Sequence, residues 1–450
     1  MVFHLLAQPA FGADVARPNF LLIITDQQTG DALSCAGNPH VKTPNLDSLA
    51  ARGMRFDRSF CTYPLCTPSR ASLFTSRMPH EVGITRNGDG SPLPADVISM
   101  GLVFKDAGYE TAYAGKWHLP TYYPAHAVAQ TNRLIPGFAV LPLAPLANKS
   151  DMYIGLTVDA GVIAASTKFL QQRHVQPFVL VVSIMNPHDI CDVLHYPEKY
   201  SALQPSQAPL PPTLPNYPAI SNEPDPLRRK REKSANHWTE QQWQEYRAIY
   251  YRLVEIADGH IGRVLSCLED NGLANNTVVI FTSDHGEMMG AHQQAGKSSL
   301  YKEALDVPLI IRAPGVTEKA TVNSTHLVSG LDLLPTMCDF AGISQPASFR
   351  GRSLRPLLEG RSPAWRNHVV AELADGRMVR SASYKYILYE QGGNREQFFD
   401  LRNDPQETQN LIADASVQAA LEEHRRWLQA YIKETQDEFG TPERVIRKKK

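Results

Sequence analysis

The chain has few cysteines, no long apolar segment and almost no net charge. Its six cysteines are scattered through 450 residues without a Cys-x-x-Cys pair, so this is not a disulfide scaffold. No apolar run approaches the roughly 20 residues that a membrane-spanning helix needs. The 45 basic and 46 acidic residues leave no basic excess, which argues against a general nucleic-acid binder. A polyanionic substrate must therefore meet a local group of cations.

Four short apolar segments, each followed by polar residues, predict buried parallel strands at 19–25, 178–184, 277–282 and 307–311. Apolar residues spaced three to five apart predict a helix from Trp243 to Leu268. A further helical stretch is predicted from Ser298 to Leu305. Alternating strands and helices indicate an α/β fold, with a large mixed, mostly parallel sheet flanked by helices. Polar residues at the carboxyl ends of such strands mark the ligand crevice of this architecture.

From about Ala371 the pattern changes to short alternating segments, at 378–380, 384–389 and 397–401. A helical pattern follows near 417–432. Together they predict a smaller C-terminal antiparallel sheet with a packed helix. The predicted organisation is a leader at 1–18, a catalytic domain at 19–365 and a C-terminal subdomain at 366–450.

The N-terminal segment resembles the end of an export signal. A short apolar core, Phe3 to Ala7, precedes small residues that end in an Ala-x-Ala-like pattern near Ala16. We interpret it as a truncated export signal, with a disordered leader as the alternative. A periplasmic or secreted protein is expected, and a cytoplasmic one is the alternative.

A proline-rich segment, 205–226, predicts a long surface excursion. The basic run that follows, Arg228 to Lys233, is interpreted as a solvated helix start. The alternative is a rim that attracts anionic saccharides.

The most informative segment is Cys66-Thr67-Pro68-Ser69-Arg70. A strand-like segment ends before it and a helix-like one begins within it, where Pro68 suits a first helical turn. Cys66 then lies beside the free N–H groups of a helix N-terminus, which favour an anion or an activated thiol-derived group. A buried structural cysteine is the alternative.

Two Asp-led pairs follow predicted strands. Asp26-Gln27 follows the first strand, and Asp284-His285 follows the strand at 277–282 within the segment Ser283 to Glu287. Carboxylate and amide oxygens suit a hard divalent cation, and one imidazole moves the choice partway towards Mn²⁺. Helix N-capping is the alternative for each Asp taken singly. Two such pairs with Cys66 between them in sequence favour a metal.

The run that begins at Cys66 resembles the signature of type I sulfatases, Cys-x-Pro-Ser-Arg-x-x-Leu-x-Thr-Gly, in the alkaline phosphatase superfamily. The matching residues are Cys66, Pro68, Ser69, Arg70, Leu73 and Thr75, and Ser76 replaces the usual Gly. Further similar motifs occur in the family's order, namely Gly115-Lys116-Trp117-His118, Asn186-Pro187-His188-Asp189, Gly296-Lys297 and the C-terminal segment 399–405. The resemblance extends from about Arg17 to Leu411.

This resemblance implies that Cys66 is oxidised to formylglycine by a formylglycine-generating or sulfatase-maturating enzyme. It also implies one divalent metal, with Ca²⁺ expected first and Mn²⁺ or Mg²⁺ as alternatives. The implied metal ligands are Asp26, Gln27, modified Cys66, Asp284 and His285. The implied catalytic residues are Cys66, Arg70, Lys116, His118, His188 and Lys297.

The same resemblance assigns roles to these residues. The hydrated formylglycine is the nucleophile, Arg70 holds the hydrate and the metal-side carboxylates, and the two lysines stabilise the sulfuryl oxygens. His188 is the candidate general acid, assisted by Lys297, and His118 deprotonates the second hydroxyl. The expected reaction is hydrolysis of a sulfate monoester on a sulfated carbohydrate or small molecule.

Two departures from the commoner family pattern keep alternatives open. Many sulfatases have Asp-Asp and Asp-Asn where this chain has Gln27 and His285 as second members of the pairs. The pattern seen here also occurs in choline sulfatases, some glycan sulfatases and phosphonate monoester hydrolases. A phosphonate or phosphate ester hydrolase of the same superfamily is therefore the first alternative, and an inactive sulfated-glycan-binding protein is the second.

Overall fold

A computed structural model describes residues 17–88, 94, 96–119, 135–143, 154–193, 195, 200, 202–203, 210–233, 238–317 and 319–441. The predicted leader, except its last two residues, lies outside the described residues, as does part of the proline-rich segment. Among the described helices, none has both the length and the apolarity to cross a membrane.

The strands described are, in chain order, β1 (Asn19–Asp26), β2 (Met54–Phe56), β3 (Ser59–Phe60), β4 (Glu110–Gly115), β5 (Ala139–Val140), β6 (Phe178–Pro187), β7 (Thr277–Ser283), β8 (Leu309–Arg312), β9 (Thr321–Asn323), β10 (Val328–Ser329), β11 (His368–Glu372), β12 (Gly376–Ser381), β13 (Tyr384–Tyr389) and β14 (Glu396–Asp400). The α-helices described are α1 (Pro44–Ala51), α2 (Cys66–Thr75), α3 (Met100–Asp106), α4 (Gly155–Leu170), α5 (Ile190–Val193), α6 (Asp225–Lys233), α7 (Glu240–Asp270), α8 (Lys302–Leu305), α9 (Leu333–Ala341), α10 (Arg355–Leu358) and α11 (Gln418–Thr435).

The large sheet has the strand order β5-β4-β6-β1-β7-β8-β2-β9. Its centre is parallel, because β6 and β7 flank β1 in the same direction and β4 runs parallel to β6. Both faces of β1 are buried: Leu22 packs into a cluster with α2, α3 and α9, whereas Ile23 packs into one with α1, α4 and α7. This double burial explains the unbroken apolar runs of the central strands.

The C-terminal sheet is an antiparallel meander in the order β11-β12-β13-β14. Its residues Val379, Tyr386 and Phe398 pack against Leu421 and Leu428 of α11. The predicted fold class is therefore confirmed: a large mixed, mostly parallel α/β sheet accompanied by a small antiparallel sheet with a helix.

The segment after β7 differs from the prediction. The strand predicted at 307–311 is β8, which runs antiparallel to β7. The helical stretch predicted from Ser298 to Leu305 is also wrong, because only α8 is helical there. Ser298 has a φ of 63° and its N–H donates to the Pro64 carbonyl at 2.8 Å. Neighbouring parallel strands need a long crossover connection, usually a helix. The connection from β7 to β8 lacks a full crossover helix, so β8 runs antiparallel to β7.

The proline-rich segment is not a simple surface excursion where it is described. Asn216 and Ile220 are buried. The side-chain amide of Asn216 donates to Glu303 Oε1 at 2.9 Å, and the backbone carbonyl of Asn216 accepts from the His292 N–H at 2.7 Å. These hydrogen bonds replace the water that a surface loop would use.

Candidate active site

Four neighbouring parallel strands bring the predicted residues to one edge of the sheet. Asp26 is the last residue of β1, Lys116 follows β4, His188 follows β6 and Asp284 follows β7. The first residue of α2, Cys66, reaches the same edge, since its sulfur lies 3.8 Å from Asp26 Oδ1. This edge is the ligand crevice of an open α/β sheet.

Gly115 allows β4 and β6 to approach at this edge. Its φ is +97°, and a Cβ there would lie 1.9 Å from the Ser183 carbonyl oxygen. The N–H of Lys116 donates to that same oxygen at 3.0 Å. The glycine of the Gly-Lys-Trp-His motif is therefore needed to place Lys116.

Cys66 lies buried in an environment that favours negative charge. Its Sγ is 3.1 Å from His285 Nε2. Burial and the Asp26 carboxylate would raise the pKa of this thiol. The positive charges of Lys116, Lys297 and His285 nevertheless hold the pKa of Cys66 well below its ordinary value. The same surroundings would stabilise an anionic oxygen at this position.

The far end of α2 explains the one departure from the signature. Ser76 has a φ of 53°, in the left-handed region where glycine is favoured. Its N–H donates to the Ser72 carbonyl and its hydroxyl donates to the Leu331 carbonyl, each at 2.8 Å. The replacement therefore changes the end of the helix that is remote from Cys66.

Arg70 joins the two carboxylates of the site. Its Nη2 donates to Asp26 Oδ2 at 3.0 Å, and its Nε donates to Asp284 Oδ2 at 2.8 Å. Its Nη1 donates to the Lys116 carbonyl at 2.7 Å and to Ser183 Oγ at 2.9 Å. Buried, hydrogen-bonded ion pairs of this kind fix geometry. Arg70 thus sets the separation of the two carboxylates.

Lys116, one of the two predicted lysines, and both predicted histidines lie near the sulfur. Lys116 Nζ lies 2.7 Å from Asp26 Oδ2 and 4.0 Å from Cys66 Sγ. His188 Nε2 lies 3.9 Å from Asp26 Oδ1, and Cys66 acts to raise the pKa of both His188 and His118. Burial, helped by two nearby lysines, lowers the pKa of His188 to about 4. Burial is also the main cause of the lowered pKa of His118.

Four of the five predicted metal ligands converge. Asp26, Cys66, Asp284 and His285 offer ligand atoms that all lie within 4.8 Å of one another. His285 Nδ1 lies 2.9 Å from the carbonyl oxygen of Gly286. Because a carbonyl only accepts, Nδ1 carries a proton, so Nε2 is the ring nitrogen that would face a cation.

The chemistry of this donor set suits a divalent cation. Burial and the neighbouring Asp26 carboxylate raise the pKa of Asp284 to about 6. A cation between the two carboxylates would relieve that repulsion. Carboxylate oxygens with one imidazole nitrogen fit Ca²⁺, Mn²⁺ or Mg²⁺.

Gln27, the fifth predicted ligand, has other contacts. Its side-chain oxygen accepts from Lys297 Nζ and, at 3.2 Å, from the Cys191 thiol. Its amide nitrogen donates to Glu287 Oε2 at 2.5 Å. The assignment of Gln27 to the metal therefore stays a prediction.

Sequence reasoning missed several residues that hold the site. Glu287 was visible as an acidic residue two positions after His285, whereas Ser183 gave no signal inside its apolar run. Asp159 on α4 accepts the backbone N–H groups of Met185 and Asn186 at 2.7 and 3.0 Å. These hydrogen bonds hold the segment that carries His188.

The basic run forms α6, and this helix contacts the site. Lys230 Nζ donates to the carbonyl oxygen of Lys297. Burial lowers the pKa of Lys230 to about 8. Arg228 and Arg229 are exposed. The run is thus partly solvated, but it forms the end of α6 and not a helix start, and one of its cations lies against the Lys297 segment.

Comparison with known proteins decides among the families that this geometry allows. The Sulfatase family model matches residues 18–343, most of the chain. The chain belongs to the sulfatase family. A second model, N-sulphoglucosamine sulphohydrolase, C-terminal, matches residues 290–434 of this sulfatase.

Relatives of this sulfatase are similar over nearly its whole length. The Delta 4,5-hexuronate-2-O-sulfatase of Bacteroides thetaiotaomicron is 31% identical, with 94% of this chain and 90% of that protein covered. The ulvan-active sulfatase of Formosa agariphila is 30% identical, with 96% and 84% covered. The chain is therefore a sulfuric ester hydrolase.

Solved structures with the same fold include members of both candidate classes. The structure of a 2-O GAG sulfatase has a TM-score of 0.83 and 29% identity, with 94% of each chain covered. The phosphonate monoester hydrolase of Agrobacterium radiobacter has a TM-score of 0.79 and 27% identity, with 94% of this chain and 97% of that one covered.

Proposed function

We propose that this sulfatase hydrolyses a sulfate monoester on a saccharide, through formylglycine made from Cys66 and with a divalent cation beside it. The observation that carries the proposal is the convergence of Cys66 with Asp26, Asp284 and His285 at one strand edge. Similar proteins named for hexuronate, ulvan and GAG substrates support a saccharide as the substrate class.

The cation would be held by Asp26, Asp284 and His285, with modified Cys66 completing the set. When bound, it supplies Lewis acidity that lowers the pKa of a neighbouring hydroxyl and orients it. Ca²⁺ is the proposed ion because two ligands are carboxylates, and Mn²⁺ or Mg²⁺ are the alternatives.

Hydrated formylglycine at position 66 carries two hydroxyl groups on one carbon. The oxygen of one, after its proton is lost to solvent, attacks the sulfur atom of the ester. The bond between sulfur and the saccharide oxygen then breaks and leaves the sulfuryl group on residue 66. Lys116 and Lys297 stabilise negative charge on the sulfuryl oxygens. Arg70 keeps both carboxylates in place during this step.

His188 is proposed to protonate the departing saccharide oxygen, assisted by Lys297. Burial and the two lysines lower the pKa of His188 to about 4, so its ring is neutral before substrate binds. A bound sulfate ester brings negative charge into the same pocket and raises the pKa of the ring. Binding therefore prepares the acid for its role.

His118 is proposed to remove the proton of the second hydroxyl, so that the aldehyde re-forms and sulfate leaves. In His118→Ala we expect the sulfated enzyme to accumulate and steady-state turnover to fall about 10²- to 10⁴-fold, the usual contribution of a general base. Intact-protein mass spectrometry after substrate addition would detect the sulfuryl adduct. His40→Ala, an exposed histidine, is the matched control and should turn over normally without an adduct. Normal turnover of His118→Ala would contradict the assignment.

Anion release tests the proposed reaction. Protein with Cys66 oxidation verified by mass would be incubated with sulfated hexuronate and hexosamine saccharides, choline sulfate and a phosphonate monoester. We expect sulfate release from one saccharide class, measured by ion chromatography. Product from the phosphonate alone would instead support the phosphonate hydrolase, which is favoured by Gln27, His285 and the 27%-identical neighbour. If fully modified enzyme released no anion from any compound, the saccharide assignment would be contradicted for this panel.

A further inference from the structure

We propose that Glu287 fixes the orientation of the Gln27 amide and thereby positions Lys297 for anion binding. The inference rests on the proposed function, because it takes Lys297 to contact the sulfuryl group. Glu287 and Gln27 are positioning residues in this scheme, since they act through the lysine.

Glu287 is a buried carboxylate whose two oxygens have different partners. Its Oε1 accepts from the Tyr246 hydroxyl at 2.9 Å and from the N–H groups of Met289 and Gly296 at 3.2 and 2.6 Å. Its Oε2 accepts from the Gln27 amide at 2.5 Å. Two of the donors to Oε1 are backbone groups, so this position must always hold an acceptor.

The Gln27 side chain has one donor end and one acceptor end. Because a carboxylate only accepts, Oε2 of Glu287 selects the NH₂ end. The amide oxygen must then point the other way, where it accepts from Lys297 Nζ and from Cys191. One buried carboxylate therefore decides that the lysine meets an acceptor and not a second donor.

Glu287 holds the lysine from two sides. Through Gln27 it fixes the ammonium end, and through the Gly296 N–H it fixes the backbone next to Lys297. The Lys297 ammonium otherwise lies 3.7 Å from the Cys191 sulfur, a weaker acceptor than an amide oxygen. A half-buried lysine without an oxygen acceptor would lose its fixed position and gain rotamer freedom.

Glu287→Gln tests this chain of contacts. The backbone donors oblige the new amide to place its oxygen at the Oε1 position, so its NH₂ faces the NH₂ of Gln27. Gln27 must rotate and then presents its own NH₂ to Lys297. We expect the Kd for inorganic sulfate and the kcat/KM of sulfate release each to worsen about 10- to 100-fold, the effect of a lost charge-assisted hydrogen bond.

Exchanging the two residues, which keeps the total charge, is expected to restore function. In the double variant Gln27→Glu with Glu287→Gln, the new amide at position 287 donates to one oxygen of the new carboxylate at position 27, whose other oxygen accepts from Lys297. Gln27→Glu alone places two carboxylates face to face and should be as impaired as Glu287→Gln. We expect the double variant to return to within about fivefold of wild type, because contacting residues are not additive. A merely structural role would instead make the two losses add.

Two further measurements separate this role from others. In a Lys297→Ala background, Glu287→Gln should have no additional effect, and bound metal should remain at the wild-type level in every variant. If the variants lost bound metal together with sulfate affinity, the inference would be overturned and Gln27 would be assigned as a metal ligand. Failure of the exchange to recover while thermal unfolding stays normal would also overturn it. Sulfate-ion binding needs no turnover, so failure of the proposed reaction is seen separately as wild-type enzyme that binds sulfate but releases none.

Discussion

The Cys66→Ser enzyme is expected to release one equivalent of saccharide product and then stop. We expect its steady-state turnover to fall about 10³-fold or more, an effect of the size seen when a catalytic nucleophile is replaced. A serine hydroxyl at the start of α2 still lies among Lys116, His285 and Asp26, so it can attack the sulfur once. It has no second hydroxyl on the same carbon, so the sulfated serine cannot expel sulfate by forming an aldehyde. Only attack by water on the sulfated serine would then regenerate the free enzyme.

Quench experiments would follow saccharide product and free sulfate separately, with intact mass used to detect the sulfuryl adduct. Cys35→Ser is the matched control, since Cys35 is a partly exposed cysteine outside the site, and should behave as wild type. Full multiple turnover by Cys66→Ser would exclude the gem-diol mechanism. Full activity of a wild-type preparation whose mass shows unmodified Cys66 would exclude it equally.

Arg377→Met is expected to lower the free energy of unfolding by about 3–5 kcal/mol, the usual cost of breaking a buried ion pair from one side. Arg377 and Asp437 have side chains that are 1% exposed. The guanidinium donates to the two Asp437 oxygens at 2.6 and 2.9 Å, and to the carbonyls of Leu373 and Gly376 at 2.6 and 2.8 Å. The variant leaves the carboxylate and both carbonyls without this donor.

This ion pair belongs to a network that joins the C-terminal sheet to the segment after α2. Asp437 follows α11, Arg377 lies on β12, and Glu372 at the end of β11 accepts from His80, which follows α2. His80, Glu372 and Asp437 also come within 4.8 Å of one another, the spacing of a metal site. Arg377 already supplies the positive charge there, so this cluster is better explained as structural.

Urea denaturation followed by circular dichroism would measure the loss. Arg377→Met with Asp437→Asn, which removes both charges, should be less destabilised than the single variant. Arg252→Met is the exposed control, because Arg252 pairs with Glu255 at 3.0 Å on the outer face of α7, and it should unfold like wild type. An Arg377→Met protein as stable as this control would contradict the assigned role.

Much of the site could be predicted because its chemistry restricts residue types. Cys66, Arg70 and Lys116 occur in motifs whose spacing reflects a helix start and a strand end, and the order of motifs along the chain indicated the family. The carboxylates at the ends of two apolar strands were informative for the same reason, since parallel strands place their carboxyl ends on one edge.

Other features depend on partners that are distant in sequence. Ser183 sits inside an apolar run, yet its hydroxyl accepts from Arg70, and nothing local indicates that. Helical pattern alone predicted residues 298–305 as a helix, but Ser298 has a φ of 63°, outside the helical region, and only Lys302–Leu305 is helical. The antiparallel direction of β8 could not be predicted from the sequence either, because an apolar run looks the same whichever way the strand runs in the sheet.

By itself, the sequence determined the α/β class and the central strands and indicated the candidate reactive residues, because burial periodicity and chemistry are local properties of the chain. Only the tertiary structure decided how those residues are held. It placed Arg70 between two carboxylates, joined α6 to the Lys297 segment and set the Gln27 amide against Glu287. Such contacts depend on which buried donor meets which acceptor, and that is settled only when distant segments pack together.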